Sequence, residues 1–354
     1  MRPILFSFLL MGLLFFSACK NDDASGSDAL GAGWSISQSE VLNGGPGKDG
    51  IPSVDNPIFV DVAEVEPYLR DDHLVVGIKV GDEVKAYPHP ILDWHEIVND
   101  EVGGEPIALT YCPLTGSALA WSRRLSVGVT TFGVSGLLYQ TNLIPYDRET
   151  DSNWSQMLMQ SVQGQLRDEE PALFPIVETS WASWQKMYPN TKVLSTNTGT
   201  TRNYGSYPYG DYRTANWLLF NVNPRDERLN LKERVHGLRI DNQVKVYRFG
   251  SFNEGTRLVN DQFMGKDVVV VGSEADNYIV SFNRRLESGE VLEFTAVPDA
   301  LPIVMTDQSG SNWNIFGEAV DGPKAGTQLG FESSLIGYWL TFGSFYPQPA
   351  IFEF

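Results

Sequence analysis

Cysteine is nearly absent: the 354 residues hold two, Cys19 and Cys112. That excludes a disulfide-rich scaffold and a zinc site built from cysteines alone. Positive charge is also scarce. Lys and Arg number 26 against 44 Asp and Glu, for a net charge of −18. Such a balance argues against duplex nucleic acid, whose phosphates attract cationic side chains. Beyond the N-terminus no apolar run approaches the roughly 18 residues that mark a transmembrane helix. Neither Cys-x-x-Cys nor His-x-x-x-His spacing occurs. Phosphate-loop and Gly-x-Ser-x-Gly signatures are missing as well.

Apolar residues make up 42% of the chain and aromatics 12%, which rules out general disorder. The N-terminus reads as a targeting segment. Met1-Arg2 is a short basic start, and Ile4 to Phe16 is an almost unbroken apolar run. That run is too short for a stable span but fits the apolar region of a signal peptide. Ser17-Ala18-Cys19 follows it and resembles the lipobox of bacterial lipoproteins. The resemblance implies removal of residues 1–18 and lipid on Cys19. The partner is then the membrane, through acyl chains, in the bacterial cell envelope. Lys20-Asn21-Asp22-Asp23 resembles the export signals of surface lipoproteins in the Bacteroidetes, with a periplasm-facing outer-membrane protein as the alternative. Residues 19–50 are rich in Gly, Ser, Asp and Asn and read mostly as a flexible tether.

Self-similarity organises the rest. The stretch Val75 to Tyr87 finds an echo in Val235 to Tyr247. Val98-Asn99-Asp100 recurs as Val259-Asn260-Asp261, and Arg123-Arg124-Leu125 as Arg284-Arg285-Leu286. Ser152-Asn153-Trp154 recurs as Ser311-Asn312-Trp313. Trp181, Trp184 and Tyr188 correspond to Trp339, Phe342 and Tyr346. The common order predicts two tandem divergent copies of one module, 51–196 and 230–354, joined by a connector at 197–229. Each copy reads as β-rich α+β, mostly antiparallel strands with a few short helices. Leu74–Val80 and Val84–Tyr87 alternate around Gly81-Asp82, a hairpin signal. Pro90 to Val98 reads as a short helix with Pro in its first turn. Ile107 to Cys112 reads as a buried strand. Ser180 reads as the cap of a helix carrying Trp181, Trp184 and Tyr188. In the second copy, Val268–Val271 and Tyr278–Phe282 read as strands.

Polar, reactive residues found in only one copy are candidates for a site. His95, Glu96 and Cys112 correspond to Thr256, Arg257 and Ser273, so the reactive set lies in the first copy. Cys112 ends a predicted strand, where a thiolate could act as nucleophile or metal ligand if its pKa were lowered. His95 would be base or second ligand, and Glu96 would orient the imidazole. Tyr111, Thr115 and Ser117 would line the site, and Arg148 could bind a ligand or form a surface ion pair. A thiolate with an imidazole suits copper or zinc, with His73, His89, Met157, Met159 or a carboxylate completing the set. Buried cysteine also simply packs. His95 shares a helical face with Ile91 and Val98, which fits a core histidine. Thr115 stands where a Cys-x-x-Cys pair would need its second cysteine, which weakens a dithiol reading. The leading reading is a ligand- or metal-binding or thiol-chemistry site in the first copy, for a small molecule, glycan or protein. The alternatives are a non-catalytic surface module binding a glycan or protein through exposed aromatics, or a structural body without a site. Whether it is an enzyme stays open.

Several segments together resemble one uncharacterised family, catalogued as domain of unknown function DUF3179. They are Asp49 to Pro57, Trp94 to Asp100, Tyr111 to Ser117, Phe132 to Gly136, Tyr146-Asp147-Arg148 and Ser152 to Ser155. The resemblance covers nearly all of the chain after residue 18. It implies no activity, substrate or cofactor. Some members resemble a Cys-x-x-Cys pattern where this chain has Thr115.

Overall fold

The computed structural model describes residues 33–353. The expected signal peptide and Cys19 lie outside the described residues. Sheets dominate and most strand pairs are antiparallel, with three α-helices of one or two turns among the described residues. Strand Leu74–Val80 turns at Gly81-Asp82 into Glu83–Pro88, with Val80 opposite Glu83. Gly81 adopts φ 57°, a conformation glycine reaches without steric cost. Strand Ile176–Ser180 pairs with the outer side of this hairpin, and Lys192–Leu194 joins its other edge in parallel. Residues 234–248 form a second hairpin, flanked by Ser334–Tyr338 and, in parallel, Ala350–Ile351.

The two hairpins carry like interiors. Trp184, on helix Trp181–Met187, fills the space above Gly77, where an added Cβ would lie 2.0 Å from the ring. Phe342, on helix Trp339–Phe345, does the same above Gly237 at 2.1 Å. Ser180 caps the first of these helices, its Oγ accepting from Ser183 N at 3.2 Å. Asp100 accepts from Lys85 Nζ at 3.0 Å and Tyr87 OH at 2.6 Å. Asp261 accepts from Lys245 and Tyr247, both at 2.6 Å. Asn99 brackets the backbone of Phe132, and Asn260 brackets that of Phe294. Trp154 donates to Asp147 and Trp313 to Asp307, each at 3.0 Å.

The parts pack crosswise. Strand Ser117–Ser122 lies beside Ser334–Tyr338, and Ile176–Ser180 lies beside Tyr278–Asn283. Tyr338 N donates to Thr115 O at 2.7 Å across the first junction. The largest core cluster draws Trp181 and Trp184 together with Val271, Trp313 and Phe316. Burial of this shared apolar surface therefore holds residues 51–196 against residues 230–353.

Two expectations change. The helix expected over Pro90–Val98 is His89–His95, with Pro90 in its first turn as anticipated. Glu96 then adopts φ 59°, and Ile97–Val102 forms a strand against Glu105–Cys112. Apolar residues at 91 and 98 suit a helix by spacing, yet Ile97 and Val98 gain ladder hydrogen bonds and burial in the sheet. The stretch expected as a tether is folded over residues 33–50. Val41–Asn43 pairs with Phe132–Tyr139, and Asp49 N donates to Val134 O at 2.8 Å.

Candidate functional site

Helix His89–His95, the strand end at Cys112 and the connector meet at one place. Strand Glu105–Cys112 is buried from Pro106 onward and delivers Tyr111 and Cys112 to the turn Pro113–Gly116. Cys112 is 1% exposed and packs with Ile97, Leu114, Trp121 and Leu340. Its Sγ lies 3.8 Å from Thr141 O. Burial pushes the thiol up to about 11, and the neighbouring Glu96 carboxyl adds to the shift. A group so protonated at neutral pH is a poor nucleophile and a poor metal ligand.

His95 does not serve Cys112. Its Nδ1 lies 2.7 Å from Pro52 O and its Nε2 lies 2.7 Å from Tyr204 OH. A carbonyl only accepts, so Nδ1 carries the proton and Nε2 accepts from the phenol. Burial lowers the His95 pKa, which keeps the ring neutral. Both nitrogens are committed, and the imidazole is a structural strut between residue 52 and the connector. The Glu96 carboxyl is buried beside Tyr209, whose OH donates to Oε1 at 3.2 Å. Burial raises it to about 7, with the Asp93 charge adding. The expected triad is thus divided. Glu96 neighbours Cys112, and His95 faces elsewhere.

Thr115 and Ser117 are also spent on structure. With Asn142, Gln156 and Thr110 they form a buried hydrogen-bonded knot, for example Ser117 Oγ to Gln156 Oε1 at 2.7 Å. Arg148 pairs with Asp49 at 3.2 Å and Asp55 at 3.1 Å, fastening residues 49–55 to the body. No group of three or more His, Cys, Asp or Glu side chains that could hold a metal occurs among the described residues. Met157 and Met159 are core residues packed with Trp339 and Phe342. The copper or zinc expectation therefore finds no ligand set here.

Of the expected residues, Tyr111 reaches an open site. It lines a cleft of about 470 Å³ together with His73, His89, Asp93, Arg213, Arg234 and Tyr338. The walls come from three parts of the chain: the helix and strand of the first part, the connector, and strand residues of the last part. Asp93 is 3% exposed and pairs with Arg213. Burial outweighs the attraction of that guanidinium and raises the Asp93 carboxyl to about 7. Arg213 Nη2 also lies 3.4 Å from Tyr111 OH, and the guanidinium sits 4.0 Å from the Tyr207 ring centre. The His89 ring packs on Tyr111 at 4.6 Å. Its Nε2 lies 3.3 Å from Glu178 Oε2, off the line of a hydrogen bond. Burial lowers the His89 pKa despite the Glu178 charge, so the ring is neutral. Burial works against the Glu178 charge, but Arg234 holds it, its pKa is lowered on balance, and it stays a carboxylate.

Several polar atoms at the cleft have no protein partner among the described residues: Asp93 Oδ2, His89 Nδ1, Tyr338 OH, and Nε and Nη1 of Arg213. Asp93 can give or take a proton near neutral pH, and the others can bind polar groups. Sequence reasoning missed Asp93, Arg213, Glu178, Arg234 and Tyr338. Asp93 sits two residues before His95, but nothing in the pattern distinguishes it. Arg213 lies in the connector, 120 residues from its partner.

The molecule is thus a β-rich protein with a polar cleft where its parts meet. By sequence the chain belongs to the DUF3179 family, proteins of unknown function, whose model matches residues 48–349. No curated protein and no solved structure matches the chain.

Proposed function

We propose that this is a small-molecule binding protein of the bacterial envelope, anchored through lipid on Cys19, with its ligand site in the cleft at His89, Asp93, Tyr111, Arg213 and Tyr338. The observation that carries this reading is the meeting in one cleft of polar side chains from three separate segments, several of whose atoms have no protein partner among the described residues. Polar groups that lack a protein partner in a cleft are free to pair with a ligand. The cleft's size lies within the range of small-ligand sites. Anchoring rests on the apolar leader and on Ser17-Ala18-Cys19.

We also propose that the body arose from two divergent copies of one module. The support is the paired interiors: Gly77 under Trp184 and Gly237 under Phe342, and the Lys-Tyr-Asp sets at 85, 87 and 100 and at 245, 247 and 261. On this reading each junction between copies could have held a site, and side chains specific to one copy built it at only one.

The test is a crystallographic soak of the protein with a library of small fragments. Fragments should gather in the cleft of the wild type and be lost from it in His89→Ala and Arg213→Ala. Fragments bound only at other surfaces would overturn the assignment.

A further inference from the structure

Resting on the cleft reading, we infer that the ligand carries an anionic group, a carboxylate, phosphate or sulfate, held between Arg213 and Arg234. The protein bears a net charge of −18, yet the cleft lining sets Arg70, Arg213, Lys232 and Arg234 against Asp72 and Asp93. Two of these cations are spent. Arg70 pairs with the exposed Asp72 at 3.1 Å. Lys232 Nζ donates to the backbone carbonyls of Tyr212, Ala215 and Trp217. Arg213 and Arg234 remain, with side chains 36% and 22% exposed.

Each guanidinium is fixed by a buried acidic side chain. Asp93, 3% exposed, holds Nη2 of Arg213, and Glu178, 4% exposed, holds Nη2 of Arg234. Arg234 Nη1 donates to Asn277 Oδ1, which leaves Nε–H and one hydrogen on each Nη. Arg213 keeps Nε–H and its Nη1 hydrogens. A guanidinium presents five donors in a rigid fork, so fixing one corner orients the rest. Such preorganised donors bind an anion with little further loss of side-chain freedom. Both guanidinium groups line the same cleft as His89 and Tyr338. The Tyr338 hydroxyl is a further neutral donor there.

A cationic ligand fits less well. The acidic side chains it would seek are already engaged by guanidinium groups, and the two arginines would repel it. The rings of Tyr111, Tyr207 and Tyr338 along the walls suit a flat or ring-shaped body behind the anionic group.

The test is calorimetric titration of the full chain in detergent, at low ionic strength, with benzoate, phenyl phosphate, phenyl sulfate and the neutral benzyl alcohol. At least one anion should bind tenfold or more tightly than benzyl alcohol, and the strongest identifies the group. Arg213→Ala and Arg234→Ala should each weaken it by tenfold or more in protein that still unfolds cooperatively. Arg213→Lys and Arg234→Lys serve if an alanine form fails to fold. They keep the charge, lose the fork, and should still weaken binding severalfold. Equal binding of benzyl alcohol would overturn the inference, as would anion binding indifferent to both arginines. If fragments occupy the cleft but no anion binds, the inference fails and the cleft reading stands. If neither is seen, both fall.

Discussion

Replacing Asp93 by Asn tests the electrostatics of the cleft without changing its shape. Asp93 is 3% exposed and its carboxyl is raised to about 7 by burial. In an unfolded chain the same group titrates near 3.9. Between those pH values the folded protein keeps a proton that the unfolded chain has lost. The stability contributed by the neutral acid is complete below about pH 4 and is lost as pH rises to about 7. Each pKa unit is worth about 1.4 kcal/mol, so the loss between pH 5 and pH 8 is about 3 kcal/mol. Asn cannot titrate and shows no such loss. Arg213, Glu96, Tyr111, Tyr207 and Tyr338 face or neighbour Asp93 and are the groups that set this balance. His236 is buried and lowered to about 3, which gives a slope of opposite sign in both proteins and cancels from the difference. The assay is urea unfolding of wild type and Asp93→Asn at pH 5, 6, 7 and 8, followed by tryptophan fluorescence. Wild-type stability relative to the variant should fall by about 3 kcal/mol across that range. A flat difference would refute the reasoning. It would mean that Arg213 holds Asp93 as a carboxylate throughout.

The remaining expectations concern other parts of the chain. Cys112, with its thiol near 11, should hold about 100-fold less thiolate at pH 8 than an ordinary protein thiol two units lower. Its reaction with a disulfide reagent should appear only in denaturant, and rapid labelling of the folded protein would restore a thiol-chemistry reading. Gly77→Ala and Gly237→Ala should each destabilise by about 2 kcal/mol or more, because the new methyl would press on Trp184 or Phe342. Unfolding curves check this, and unchanged midpoints would contradict the packing described. Cys19→Ala in the producing bacterium should abolish labelling by radioactive palmitate and release the protein from membranes. Retained label would refute the anchor.

Local signals were legible where the backbone itself decides. Gly81-Asp82 between alternating strands marked the first hairpin, and Ser180 marked a helix start that Ser183 N confirms by its hydrogen bond. The buried run at Ile107–Cys112 became a buried strand paired on both edges. The contrast between similar segments pointed to His95, Glu96 and Cys112, close to the cleft but not in it. Their reactivity is cancelled by contacts that spacing does not record: Pro52 and Tyr204 on His95, Tyr209 on Glu96, and a closed apolar shell on Cys112. Arg148 shows the same limit, since the acids that occupy it lie about 95 residues earlier.

The amino-acid sequence by itself determined the family, the β-rich character and the starts of several strands and helices, because alternation, turn residues and caps act over a few residues. Tertiary structure alone decided where a ligand can go. Asp93 becomes a near-neutral acid because burial removes its water, and Arg213 arrives from the connector to face it. Glu178 and Arg234 meet across the junction of the two halves of the chain. Burial, charge and the remaining unpaired donors depend on what surrounds each side chain in space, and residues far apart in the chain supply those surroundings.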